Sequence, residues 1–235
     1  MKILIVAATT IEIKPLLAHL SSEKRINANL SRFTYHELEV DVLITGVSMV
    51  PTAYLMGKVL ATQKYDSAFN LGIAGSFNRN IGLGEVVHIT HDRFPGLGDD
   101  QGEYFLSLID LKLLEENSFT YKDGELINKL PAISKTIHNL KTARSITVNR
   151  VNTTNKSIEK IRKNCNPDVE SMSGAAFFYA CFLEEIPCAQ IRAISNYVDQ
   201  EDNDRWSIPK AIENLNKIIL QVLYETPRIA PLYEE

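Results

Sequence analysis

The sequence predicts a single α/β domain: a central, mostly parallel or mixed β-sheet with helices on both faces. Three observations carry this. Apolar runs at residues 2–8, 67–73 and 188–195 alternate too little with polar residues for surface strands, and read as strands covered on both faces. Stretches of helical spacing, at 11–20, 51–63 and 208–224, fall between and after them. The 235 residues, 45% hydrophobic and 23% charged, suit one domain with a sizeable core. The domain is expected over 1–225. Residues 226–235, with two prolines and two terminal glutamates, read as a tail.

In chain order, residues 2–8 form a buried strand. A helix over 11–20 follows, with Ile13, Leu16, Leu17 and Leu20 on one side and Pro15 in its first turns. Residues 33–37 and 40–45 read as a hairpin. Pro51 suits the first position of a helix over 51–63. The strand at 67–73 runs into Leu71-Gly72-Ile73-Ala74-Gly75-Ser76, where the glycines let the backbone turn close to a ligand. A strand over 85–91 precedes a Gly- and Asp-rich loop at 93–103. Residues 104–130 are poorly patterned. A helix over 131–140, a strand over 143–149 and a helix over 155–164 come next. A helix from Ser173, stopped by Pro187, leads to the strand at 188–195. The last helix, 208–224, carries Ile212, Leu215, Ile218, Ile219 and Val222 as its stripe.

The formal net charge of −4, without a basic stripe, disfavours nucleic acid as a partner. No stretch approaches the apolar length of a membrane span. Three cysteines without a CxxC pair suggest neither a zinc site nor a redox dithiol, and fit a reducing cytoplasm. His88 and His91, three apart on a strand, point to opposite faces, so no metal is expected.

Function is sought where local preference conflicts with position. Arg192 lies inside an apolar strand, and a lone buried charge is very costly. Ser195 and Asn196 arrive at the strand's C-terminal end, the edge where open α/β sheets bind ligands. Asn196 equally suits a cap on the following turn. Glu12 sits at the first strand–helix junction, where the helix dipole alone would favour a carboxylate.

Taken together, Glu12, Thr45-Gly46-Val47, Asn70-Leu71-Gly72-Ile73-Ala74-Gly75, Val169-Glu170-Ser171-Met172-Ser173-Gly174-Ala175-Ala176 and Arg192-Ala193-Ile194-Ser195-Asn196 resemble the nucleoside phosphorylase/nucleosidase superfamily. The resemblance is strongest to the branch of methylthioadenosine/S-adenosylhomocysteine nucleosidases. The stretch from Asn196 to Pro209 is more similar to the futalosine hydrolases, which release hypoxanthine from futalosine in menaquinone synthesis.

The resemblance implies a nucleoside phosphorylase-like fold, no cofactor, a purine nucleoside as small-molecule partner, and a homodimer or larger homo-oligomer with the 93–106 loop as a candidate interface arm. Glu12 would activate water, Arg192 would orient Glu12 and the water, and Asn196 would face the departing base. Met172, Ser173 and Glu170 would meet the ribose; a core methionine is the alternative for Met172. Gly75 and Ala74 would approach the substrate by backbone. Val148, Asn149, Arg150 and Val151 would contact the purine, and Phe94, Tyr104 and Phe105 would line a tail pocket. Two positions depart from the family pattern. Ser173 replaces a glutamate that grips the ribose hydroxyls, so Ser173 would act through water, or Glu170 would take over, or activity would be lost. Ile73 lacks a hydroxyl often found there. Hydrolysis of futalosine is the first reading. A purine nucleoside phosphorylase, a methylthioadenosine/S-adenosylhomocysteine nucleosidase and a catalytically impaired nucleoside-binding paralogue are the alternatives. A phosphorylase would need an arginine near the first junction, and residues 7–14 offer only Lys14.

Overall fold

The computed structural model describes residues 1–100, 105–117, 120–129, 131–132, 134–199 and 206–226. The strands are β1 (Lys2–Ala7), β2 (Ser21–Arg25), β3 (Leu30–Tyr35), β4 (Leu38–Ile44), β5 (Ser67–Ser76), β6 (Val86–Asp92), β7 (Gly98–Asp100), β8 (Phe105–Ser107), β9 (Leu126–Ile127), β10 (Lys141–Thr147), β11 (Val169–Ser171) and β12 (Cys188–Tyr197). The helices are α1 (Thr10–Leu17), α2 (Met49–Leu60), α3 (Lys135–His138), α4 (Asn155–Cys165), α5 (Gly174–Leu183) and α6 (Ile208–Glu225). The main sheet runs β11-β10-β6-β12-β5-β1-β4-β3-β2, with β9 on the side of β6. It is mixed. β5 is parallel to β1 and β12, whereas β6 is antiparallel to β12.

β11 pairs with β10 and also returns to β5, closing β5, β12, β6, β10 and β11 into a ring. This closure brings two distant polar residues to one place. Gly75 of β5 is the register partner of Asn196 on one side and of Glu170 on the other. A register shift between Ile194 and Asn196 marks a bulge at Ser195, a device that re-aims side chains at strand ends.

Two large apolar clusters cover the sheet. One joins β1, β4 and β5 to α2 and α5; the other joins the opposite face to α1 and α6. Each large apolar side chain taken fully inside contributes about 1.5–3 kcal/mol. On α6 the buried face is Ala211, Leu215, Asn216, Ile219, Val222 and Leu223, so the predicted stripe is rotated and Ile212 and Ile218 are only half-buried.

Other expectations need correction. β2 is an edge strand with every residue exposed, which leaves no apolar period to detect. The helix expected over 131–140 shrinks to Lys135–His138, because Ala132 is instead bonded along β12 through the Cys188 carbonyl and Ser134 caps the helix at Ile137. The 93–103 loop contains β7, paired with β8. Thr226 is buried at the end of α6, and residues 227–235 of the expected tail lie outside the described residues. None of the described helices is long and apolar enough to cross a membrane.

Candidate active site

A cavity of about 310 Å³ opens at the C-terminal ends of β1, β5 and β12. Glu12, Ala74, Gly75, Val148, Val151, Glu170, Met172, Ser173, Arg192 and Asn196 all line it. Asn149 and Arg150 do not. They line an adjoining hollow of about 330 Å³ that shares Val148 with the first and also takes Phe94 and Phe105. Tyr104 lies outside the described residues.

Glu12 stands in the first turn of α1. Its Oε2 accepts from the Thr9 N–H (2.8 Å) and the Thr9 hydroxyl (3.0 Å). Oε1 accepts a long bond from the Ile73 N–H (3.4 Å). A Cβ on Gly72 would stand 3.1 Å from that oxygen and 3.5 Å from Nη1 of Arg192, so Gly72 leaves the room in which the carboxylate rests.

The expected partnership of Arg192 needs revision. The guanidinium is buried, but it is a neighbour of Glu12 across Gly72 and not an ion pair with it. Its bonds go to Asn70: Nη1 donates to the main-chain carbonyl (3.1 Å) and Nη2 to the side-chain oxygen. Nη1 also meets the Ile191 carbonyl at 3.1 Å. Burial pushes its pKa down to about 10, against the opposing pull of Asp92 and Glu12. Arg192 therefore stays charged at neutral pH. Asn70, itself anchored to the Val6 carbonyl at 3.2 Å, is the clamp that sequence reasoning passed over. A carboxamide in the middle of an apolar strand was the available signal.

Asn196 is nearly buried. Its Oδ1 accepts the Ser195 hydroxyl (2.8 Å) and its Nδ2 donates to the Tyr197 carbonyl (3.2 Å). The Tyr197 carbonyl only accepts, so it fixes which end of the amide carries the NH₂. One lone pair and one N–H remain for a ligand. A Cβ at Gly75 would lie 3.3 Å from Nδ2 and 2.9 Å from Val198 Cγ2, which explains glycine there. Opposite, Glu170 is held by the N–H (3.2 Å) and Nδ2 (2.7 Å) of Asn152, and burial raises its pKa. It faces the cavity as a fixed acceptor. Ser173 is the N-cap of α5, and its side chain makes no cap bond.

Against Gly174, next to the cavity-lining Ser173, lies Asp92, also missed from sequence. It is fully buried and accepts from Arg93 N–H (2.8 Å), Thr147 Oγ1 (3.1 Å) and Gln190 Nε2 (3.0 Å). Burial pushes its pKa up to about 6, and Gln190 Oε1 has no partner. A protonated Asp92 would supply that oxygen with a donor after a turn of the Gln190 amide. The folded pKa lies above the unfolded one, so this carboxyl contributes stability below pH 3.8 that is lost as pH rises through about 6. The difference amounts to about 3 kcal/mol. Asp92→Asn is expected to remove this contribution, so that in thermal melts the Tm of the variant relative to the wild-type protein rises between pH 4 and pH 7; a constant difference would place the proton elsewhere.

The chain belongs to the phosphorylase superfamily, whose family model matches residues 2–224. Among its relatives is a futalosine hydrolase of Thermus thermophilus, 27% identical over 189 residues, covering 78% of this chain and 80% of that protein. A 5′-methylthioadenosine/S-adenosylhomocysteine nucleosidase of Maridesulfovibrio salexigens is likewise 27% identical, over 96% of this chain and all of that one. The fold is that of two Helicobacter pylori enzymes. Its futalosine hydrolase superposes with a TM-score of 0.77 at 16% identity, over 96% of this chain and 98% of that one. Its nucleosidase with butyl-thio-DADMe-Immucillin-A superposes with a TM-score of 0.81 at 18% identity, over the same shares.

Proposed function

We propose that the protein hydrolyses the N-glycosidic bond of a 6-oxopurine nucleoside, and that this nucleoside is futalosine, cleaved to hypoxanthine and dehypoxanthine futalosine on the way to menaquinone. Nucleosidase chemistry is common to the named relatives. Equal identity to both does not rank their substrates, and the preference for futalosine rests on the side chain at 196.

Asn196 carries the reading. Departure of a purine is eased by a proton on N7, which the Asn196 carboxamide cannot give and which is taken from solvent. A hypoxanthine leaving in this state presents a donor at N7 and an acceptor at O6. An adenine presents two donors. The free lone pair and free N–H of Asn196 match the first pair, and one of the two is wasted on the second. Discrimination then falls on the transition state, where it counts toward rate. Glu12, across the cavity, takes the proton of the attacking water. Glu170 and Ser173 receive the ribose hydroxyls, Met172 packs beneath the sugar, and Val148 and Val151 line the base side. Water rather than phosphate is the nucleophile. Among the described lining residues Arg192 is the one cation; its Nη1 and Nη2 donate to Asn70 and the Ile191 carbonyl, and its Nε is buried without a partner.

The test is base release from futalosine, methylthioadenosine and inosine, with and without phosphate. Hypoxanthine from futalosine at a rate indifferent to phosphate is expected; strict phosphate dependence would make the protein a phosphorylase. Ser173 favours a second reading, a nucleoside-binding protein with impaired turnover. Tight nucleoside binding without base release, persisting in Ser173→Glu, would establish it.

A further inference from the structure

Helix α1 carries an irregularity that water activation does not explain. Pro15 lies inside it, three residues after Glu12. Proline has no N–H for the carbonyl four residues back, and its ring crowds that carbonyl. One position on, the Leu16 N–H and the Glu12 C=O are the i, i−4 partners of a regular helix. Both are met by one side chain from the far end of the chain. Asn216 Oδ1 accepts from Leu16 N–H at 2.9 Å, and Asn216 Nδ2 donates to the Glu12 carbonyl at 2.8 Å. The same Nδ2 reaches the Ile212 carbonyl, one turn back on α6, at 2.7 Å. A side chain entering the ladder is a recognised cause of helix bending.

We infer that Asn216 is a positioning residue for Glu12: its carboxamide is spliced into α1 at the residue whose side chain activates water, and fixes that carboxylate relative to the sheet. The inference rests on the water-activating role of Glu12. Three observations support it. Asn216 is a polar residue on the buried face of α6, 2% exposed, where the pattern calls for an apolar side chain. Helix α1 has eight residues and buries only Ile13 and Leu16, so packing holds it weakly. The bonds of the Glu12 carboxylate to Thr9 move with the helix, and its one side-chain bond to the sheet is the 3.4 Å contact with Ile73. The 2.8 Å bond from Asn216 is therefore shorter than the Ile73 contact that links Glu12 to the chain outside α1 and its cap. Only a carboxamide serves. It offers a donor and an acceptor on adjacent atoms, whereas Asp would set an oxygen against the Glu12 carbonyl and Leu would satisfy neither group.

The experiment measures kcat, KM, hypoxanthine affinity and Tm for Asn216→Leu, Asn216→Asp and the double variant Pro15→Ala/Asn216→Leu, beside Glu12→Gln. A displacement of about 1 Å at a reacting group costs about 10²-fold, so Asn216→Leu is expected to lose between about 10-fold and 100-fold in kcat with KM and hypoxanthine affinity nearly unchanged. Pro15→Ala lets α1 close its own ladder, so the double variant should regain part of that loss. A folded Asn216→Leu protein with lower Tm and wild-type kcat would overturn the inference. If that variant does not fold, Asn216→Asp carries the test: it keeps the acceptor for Leu16 and loses the donor to Glu12. Reduced kcat supports positioning; wild-type kcat refutes it. Turnover surviving in Glu12→Gln would instead remove the water-activating role itself, whereas an inactive Glu12→Gln beside a fully active Asn216→Leu would remove only the present inference.

Discussion

Glu12→Gln is expected to lower the rate of base release by about 10²–10⁴-fold, the usual contribution of a positioned general base. The substitution is nearly isosteric. Glutamine keeps one oxygen for the Thr9 N–H and remains a good third-position residue of an N-terminal cap, so the fold should persist. What disappears is the carboxylate oxygen left open to the cavity beside Gly72 and Ile73. An amide there cannot take a proton from water. Hypoxanthine should bind with near wild-type affinity, because Asn196 on the far wall is untouched. Calorimetry on the variant with hypoxanthine, together with single-turnover rates, separates the two effects. Retained turnover would assign water activation to another group, with Glu170 the other carboxylate among the described lining residues.

The second large effect is expected from Asn196→Asp. A carboxylate accepts at both oxygens, so it fits the two donors of an N7-protonated adenine and opposes O6 of hypoxanthine. A site whose buried polar groups go unpaired can reject the wrong partner by factors of about 10⁴–10⁵, and one exchanged group should command part of that range. The ratio of kcat/KM for adenine over hypoxanthine nucleosides should rise by at least about 10²-fold. The Tyr197 carbonyl would face a carboxylate oxygen in place of the NH₂, so a modest loss of Tm accompanies the change. An unaltered preference would move base selection to the segment around Val148 and Val151.

Much of this was legible in the chain. The unbroken apolar strands β1, β5 and β12 announced a covered sheet, and polar residues at their C-terminal ends announced the cavity. Gly72 and Gly75 marked close approach, and the structure shows to what: Glu12 and Asn196. Other features left no local trace. β2 is polar and exposed on every residue, and β11 has three residues, too few for a period. The ring closure of β11 on β5, which sets Glu170 opposite Asn196, is long-range pairing that no window of sequence contains. The Arg192 charge was rightly marked as needing partners, but they are Asn70 and main-chain carbonyls, because the strand register places Asn70 against Gln190, two residues before the arginine on β12, while Gly72 stands between Arg192 and Glu12. Asn216 and Asp92 act across 200 and 98 residues of chain, and in sequence each sits beside other polar residues, Asn216 before Lys217 and Asp92 between His91 and Arg93, where nothing singles it out.

The central claim is that one carboxamide reads the oxygen at C6 while a carboxylate across the cavity readies water. Futalosine and aminofutalosine share the sugar and its 5′ group and differ only in the substituent at C6. The ratio of their kcat/KM values in phosphate-free buffer isolates that contact. Preference for futalosine by about 10²-fold or more is predicted. Equal rates, or faster cleavage of the amino compound, would contradict it.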